Sequence, residues 1–126
     1  MATGFLDGNG NNASEARHER RILTALCYDL VGSTDLLGIL DIEEFEELIS
    51  AFQRAARQAV ASCSGAVQVE VGDGGVALFP AEIDARDAAS LAIRAGLEII
   101  DACRRVGSNQ GRADLHVRVG IATSMT

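Results

Sequence analysis

Two aspartates stand where a carboxylate can do chemistry. Asp29 closes the apolar run Ile22 to Tyr28 and is followed at once by Leu30-Val31-Gly32-Ser33-Thr34, while Asp73 lies in the turn signal Gly72-Asp73-Gly74-Gly75 between two short valine-bearing runs. A strand-exit carboxylate with backbone amides just beyond it is the arrangement a metal-bound phosphate needs. If a sheet brings the second carboxylate to the same end, the pair, with backbone carbonyls and substrate phosphates, forms the hard-oxygen site that magnesium or manganese prefers. Two cations held there would orient a hydroxyl nucleophile and offset charge on a leaving pyrophosphate. Each aspartate also has a purely structural reading, as a helix cap and as a hairpin-turn residue, and Ser33 and Thr34 read equally as capping hydroxyls or phosphate contacts.

Positioning these groups falls to seven predicted elements. Ile22 to Tyr28 is short, nearly continuous in apolar residues and β-branched at its start, so it reads as a buried strand that Asp29 ends. A short helical piece follows over Thr34 to Leu40. Asp41 then caps a long amphipathic helix to about Cys63, with Glu44 placed for a capping box and the stripe Phe45, Leu48, Ile49, Phe52, Ala56, Ala59, Val60 at helical spacing. Ser64-Gly65 breaks it. Ala66 to Val71 alternates, with Val67, Val69 and Val71 expected on one covered face, and Val76 to Phe79 forms the second arm of a hairpin supported by Gly72 and Gly74, with Asp73 at its tip.

Asp84 is predicted to cap a helix running to about Val106, with the stripe Ala88, Leu91, Ala92, Ala95, Ile99, Ala102, Cys103. Leu115 to Thr123 is a last strand with Leu115, Val117, Val119 and Ile121 on one face and His116 and Arg118 on the other. The order β-α-α-β-β-α-β predicts an α+β fold, a ferredoxin-like split-βαβ core whose antiparallel sheet carries its helices on one face. Residues 1–20, rich in Gly and Asn, are expected to be a flexible lead, and 21–126 one domain.

Composition narrows the function classes. The chain has 126 residues, 48% of them hydrophobic, and a formal net charge of −7, which argues against nucleic-acid or anionic-membrane partners. All 11 basic residues are arginine, so any mechanism requiring lysine is excluded within these residues. No apolar run approaches a membrane span, and a cytoplasmic setting is expected. Cys27, Cys63 and Cys103 are odd in number and sit in apolar patterns, and they read as buried free thiols rather than a disulfide framework, a zinc site or a redox device.

The segments RRILTALCYDLVGSTDLL, VEVGDGGVALF, the helical DAASLAIRAGLEI and LHVRVGIATS together resemble the catalytic domain of class III nucleotidyl cyclases, particularly bacterial adenylate cyclases, over residues 21 to 126. The resemblance implies that Asp29 and Asp73 bind two Mg2+ or Mn2+ ions, one also held by the Leu30 carbonyl. It further implies that the amides of Val31, Gly32 and Ser33, with the Thr34 hydroxyl, surround the β- and γ-phosphates of ATP. The implied reaction is attack of the ribose 3′-hydroxyl on the α-phosphorus, giving 3′,5′-cyclic AMP and pyrophosphate, in sites formed between two catalytic domains and hence in a homodimer.

Val69 stands where the family usually carries an adenine-recognising lysine. The family's later segment, with a transition-state arginine and a ribose-orienting asparagine, is expected past Thr126, so the domain is truncated at its C-terminus and this chain is expected to be inactive alone; Arg118 and Asn109 do not occupy those positions. The alternative is a degenerate cyclase-like regulatory module that binds nucleotide or dimerises without catalysis. A receiver domain with Asp29 as phospho-acceptor would need a lysine the chain lacks.

Overall fold

The computed structural model describes residues 22–80, 85–112 and 114–125; the expected lead over 1–20 and the Asp84 cap lie outside them. The elements are β1 (Ile22–Val31), α1 (Ser33–Leu36), α2 (Ile42–Ser62), β2 (Ala66–Val71), β3 (Gly74–Pro80), α3 (Ala85–Asn109) and β4 (His116–Met125). The strands form one sheet in the order β2-β3-β1-β4, every neighbouring pair antiparallel. This is the expected ferredoxin-like α+β arrangement, with the helices on one face. None of the described helices is long and apolar enough to cross a membrane.

Local chemistry explains most of the boundaries. Asp41 caps α2 by accepting from the Glu44 N–H at 2.7 Å, and the Glu44 carboxylate accepts from the Asp41 N–H at 3.1 Å, so the capping box forms as read. The α2 stripe buries Leu48, Phe52, Ala56, Ala59 and Val60 against Leu26, Tyr28 and Leu30 of β1 and Ala77 and Phe79 of β3. α3 presents small residues, Ala88, Ala92 and Ala95, to the same core. Its Gly96 backbone lies so close to β4 that a Cβ there would be 3.1 Å from a Val119 methyl carbon.

Five expectations are corrected. β1 does not end at Asp29; it runs on to Val31 because β4 supplies pairing partners Arg118, Val117 and His116 for Asp29, Leu30 and Val31. The helical piece after the turn is only Ser33–Leu36, giving way to turns around Gly38, and α3 runs past Val106 to Asn109. Val67, Val69 and Val71 do not share a covered face. The register steps from Val67↔Ala77 to Val69↔Val76, so Gln68 is an extra residue and the strand turns over there. Val69 and Val71 are consequently 48% and 69% exposed on the sheet face that carries no helix.

The fifth correction concerns the thiols. Cys63 and Cys103 are buried, but Cys27 is exposed, because odd-numbered positions of β1 face away from the helices. Burial pushes the Cys103 thiol up to about 11, which keeps it protonated and unreactive. Titration of the native protein with a chromogenic disulfide reagent is therefore expected to give one fast equivalent, at Cys27, with the other two appearing only in denaturant. Two or more fast equivalents would contradict this packing.

Candidate functional site

Gly74 decides how closely the hairpin approaches β1. It pairs with Asp29 in register, and a Cβ at Gly74 would lie 2.4 Å from the Tyr28 carbonyl oxygen and 3.0 Å from the Asp29 Cβ. Only a residue without a side chain lets the two backbones meet this closely. Its neighbour Gly75 leaves room for the Tyr28 ring, since a Cβ there would stand 2.6 Å from the phenol oxygen. Gly72 takes the left-handed conformation, φ +56°, that starts the tight two-residue turn Gly72-Asp73. The turn is shorter than the four-residue signal because Gly74 and Gly75 are already paired on both sides.

The consequence is a cluster at one end of the sheet. The Leu30 N–H donates to the Asp73 carbonyl at 3.2 Å, and the Ser33 hydroxyl donates to the Asp73 carboxylate. Asp29, the next residue along β1, carries a half-exposed carboxylate that meets the Arg118 guanidinium at 3.5 Å across the β1–β4 pair. Asp29, Leu30, Ser33, Asp73 and Gly74 are thus brought together by strand pairing and by the turn that follows β1. Val31 and Gly32 form the exposed link, with Gly32 at φ +77° and its carbonyl accepting from the Asp35 N–H at 3.1 Å. Thr34 is exposed in the single turn of α1. With only four residues, α1 has no macrodipole of consequence, so any grip on an anion here comes from the turn amides and hydroxyls.

Among the described residues no group of three or more His, Cys, Asp or Glu side chains converges. The donors at this end, two carboxylates with backbone carbonyls and a hydroxyl, are of the all-oxygen type that suits Mg2+ or Mn2+, hard ions that keep several waters and take further oxygens from substrate phosphates. The exposed Arg118–Asp29 pair is of the kind worth about 0–1 kcal/mol, so a cation would displace it at little cost.

The surroundings differ on the two sides. Asp73 and Ser33 open onto a depression of about 480 Å³ between the hairpin turn and α2, walled by Phe45, Ile49 and Ser50. Asp29 and Arg118 border a smaller one, about 340 Å³, on the helix-free face beside Cys27 and Gly120.

These features can be set beside known structures. The adenylyl cyclase CyaB from P. aeruginosa superposes with a TM-score of 0.76 at 24% identity, over 85% of this chain and 58% of that one. The guanylyl cyclase Cya2 gives 0.75 at 28% identity, over 85% and 56%. A bacterial light-regulated adenylyl cyclase gives 0.72 at 17% identity, over 85% and 55%. The fold is that of a nucleotide cyclase domain. The chain spans a little over half the length of these solved cyclases. It is also 69% identical over 107 residues to a stretch of the uncharacterized protein R02095 of Rhizobium meliloti (strain 1021), covering 85% of this chain and 10% of that protein. No protein-family model matches the chain.

One residue of this cyclase fold that sequence reasoning passed over is Gln53. It is 5% exposed, accepts from the Tyr28 hydroxyl at 2.8 Å, and donates to the carbonyls of Gly72 and Gly74, both at 2.9 Å. A signal was present: Gln53 lies one turn from Ile49 and from Ala56, inside the apolar stripe of α2, where an amide must find partners. Tyr28 itself packs edge to face on Phe52 at 5.8 Å between centroids. Burial, reinforced by the Glu70 carboxylate and partly offset by Arg57, pushes its phenol up to about 12. Because the folded value lies above the ordinary 10, the neutral phenol's contribution to stability is complete below pH 10 and is lost as pH rises toward 12. Tyr28 is the single tyrosine, so absorbance at 295 nm is expected to titrate near pH 12 in the folded protein and near 10 in denaturant. Coincident titrations would show that the phenol is not buried.

Proposed function

We propose that this chain is the cation- and phosphate-binding part of a class III cyclase catalytic domain that converts ATP to 3′,5′-cyclic AMP and pyrophosphate. The observation that carries the reading is the meeting of Leu30, Ser33 and Asp73 beside Asp29 at one sheet end. In this reading the Asp29 and Asp73 carboxylates hold two Mg2+ or Mn2+ ions, with the Leu30 carbonyl as a further ligand. When bound, such ions lower the pKa of the attacking hydroxyl and offset charge on the leaving pyrophosphate. The chain's own part is positional. The amides of Val31, Gly32 and Ser33 and the Thr34 hydroxyl orient the β- and γ-phosphates, while Gly74 keeps the two carboxylates at a fixed spacing.

A second copy of the domain completes the site in this reading. It is supported by the helix-free sheet face, onto which Asp29 opens and which leaves Cys27, Val31, Val69 and Val71 exposed. Free cysteines suit a reducing cytoplasm. A second reading, a nucleotide-binding or dimerising module without catalysis, is favoured by Val69, which offers no hydrogen-bonding side chain to a base. The two are separated by incubating the complete catalytic domain with ATP or GTP and Mn2+ and resolving products by chromatography. Cyclic AMP with pyrophosphate supports the enzyme, cyclic GMP with pyrophosphate corrects the substrate, and nucleotide binding without either product supports the module.

A further inference from the structure

The Gln53 side chain is fully engaged in a way that leaves one assignment open to it. Two of its three partners are carbonyl oxygens, which can only accept, so the side-chain amide NH2 faces Gly72 and Gly74 and spends one hydrogen on each. The third partner is the Tyr28 hydroxyl, which donates to the amide oxygen. The two carbonyls flank Asp73 on either side in the chain, so one rigid side chain on α2 grips the backbone before and after that aspartate.

We infer that Gln53 is a positioning residue, a clamp from α2 that fixes the Gly72-Asp73-Gly74 turn and so sets where the Asp73 carboxylate stands relative to Asp29. This rests on the reading of Asp73 as a cation ligand. The bland account of the same geometry is a buried amide satisfying its own hydrogen bonds. The two differ in what they expect of the turn. A clamp controls local opening of the turn and thereby cation affinity, whereas a merely satisfied core amide contributes only to global stability.

Gln53→Met removes all three hydrogen bonds at similar volume, and Ile99→Ala, in α3 with 0% exposure, serves as a global destabiliser remote from the turn. The Leu30 N–H reports on the turn directly, because its acceptor is the Asp73 carbonyl. In Gln53→Met, exchange of the Leu30 amide is expected to accelerate ten-fold or more relative to the Leu26 amide in the middle of β1. In Ile99→Ala the ratio of the two is expected to stay unchanged. Manganese binding, followed by loss of the free-ion paramagnetic resonance signal, is expected to weaken about ten-fold in Gln53→Met, as for loss of an outer-shell partner, and to stay within two-fold in Ile99→Ala. Tyr28→Phe, which keeps both carbonyl bonds, is expected to behave like Ile99→Ala in both readouts.

An unchanged Leu30 to Leu26 ratio in Gln53→Met, or an unchanged manganese affinity despite a changed ratio, overturns the clamp. Where the methionine variant does not fold, Gln53→Asn, one methylene too short to reach both carbonyls, is judged by the same two readouts. If Asp73→Asn leaves manganese binding untouched, it is the reading of the site that fails, and the Leu30 exchange still judges the clamp on its own.

Discussion

Asp29→Asn and Asp73→Asn are each expected to reduce cyclic-nucleotide formation by on the order of a hundred-fold or more in the complete catalytic domain, because each removes a charged ligand while keeping the side chain's shape. Loss of an outer-shell partner alone costs about 10- to 100-fold in metal sites, and direct ligands cost more. The effect belongs to the chemistry rather than the fold. Asp29 is half exposed and its ion pair with Arg118 is of the exposed class worth about 0–1 kcal/mol, so the asparagine variant should melt almost as the parent does. Asp73→Asn should cost somewhat more stability, about 1–3 kcal/mol, because the Ser33 hydroxyl loses a charged acceptor. Near-parental turnover in both variants would remove the two-carboxylate account.

Gly74→Ala is expected to cost about 3 kcal/mol, at the upper end of ordinary overpacking, and to abolish divalent-cation binding with it. The added methyl carbon meets the Tyr28 carbonyl oxygen at 2.4 Å, a backbone atom held in the central strand, so the clash cannot be relieved by a rotamer change. Relief requires β1 and β3 to separate at Asp29, which moves Asp73 away from its partner. Gly120→Ala is the matched control: it lies on β4, and a Cβ there meets nothing within 4 Å. Denaturant unfolding should find that variant within about 0.5 kcal/mol of the parent. Equal stability of the two variants would contradict the close approach of the hairpin to β1.

What the sequence carries plainly is whatever depends on near neighbours. The Asp41–Glu44 capping box and the α2 and α3 stripes are local patterns with local energies, and each forms where it was read, while the hairpin forms with a turn two residues shorter than its signal. The departures in the sheet come from partners distant in the chain. β1 extends past Asp29 because β4, more than eighty residues on, supplies a strand to pair with. The bulge at Gln68 turns Val69 and Val71 outward, and alternation alone has no means of registering an extra residue. Cys27 looks buried within an apolar run, yet only one face of that run is covered by helices.

The candidate site divides in the same way. Asp29 and Asp73 were legible because a carboxylate after an apolar run and a glycine-flanked aspartate are visible in a few residues. Their placement at one end of the sheet follows from the strand order β2-β3-β1-β4, which the split-βαβ pattern already implied. The hydrogen bonds of Gln53 were not legible: its partners lie on β1 and in the hairpin turn, and only the folded sheet brings their carbonyls and hydroxyl to one side of α2. The depression beside Asp73 likewise owes its walls to Phe45 and Ile49, stripe residues of α2 left half-buried where the helix passes the turn.

The central claim is that Asp29 and Asp73 act as one cation site. It is tested most directly by titrating the chain with Mn2+ alone and following the free-ion resonance signal for the parent, Asp29→Asn, Asp73→Asn and the double variant. The account predicts binding in the parent, a loss of about a hundred-fold or more in either single variant, and little further loss in the double, as two groups acting on one site require. Binding that survives in both single variants at parental strength would contradict it.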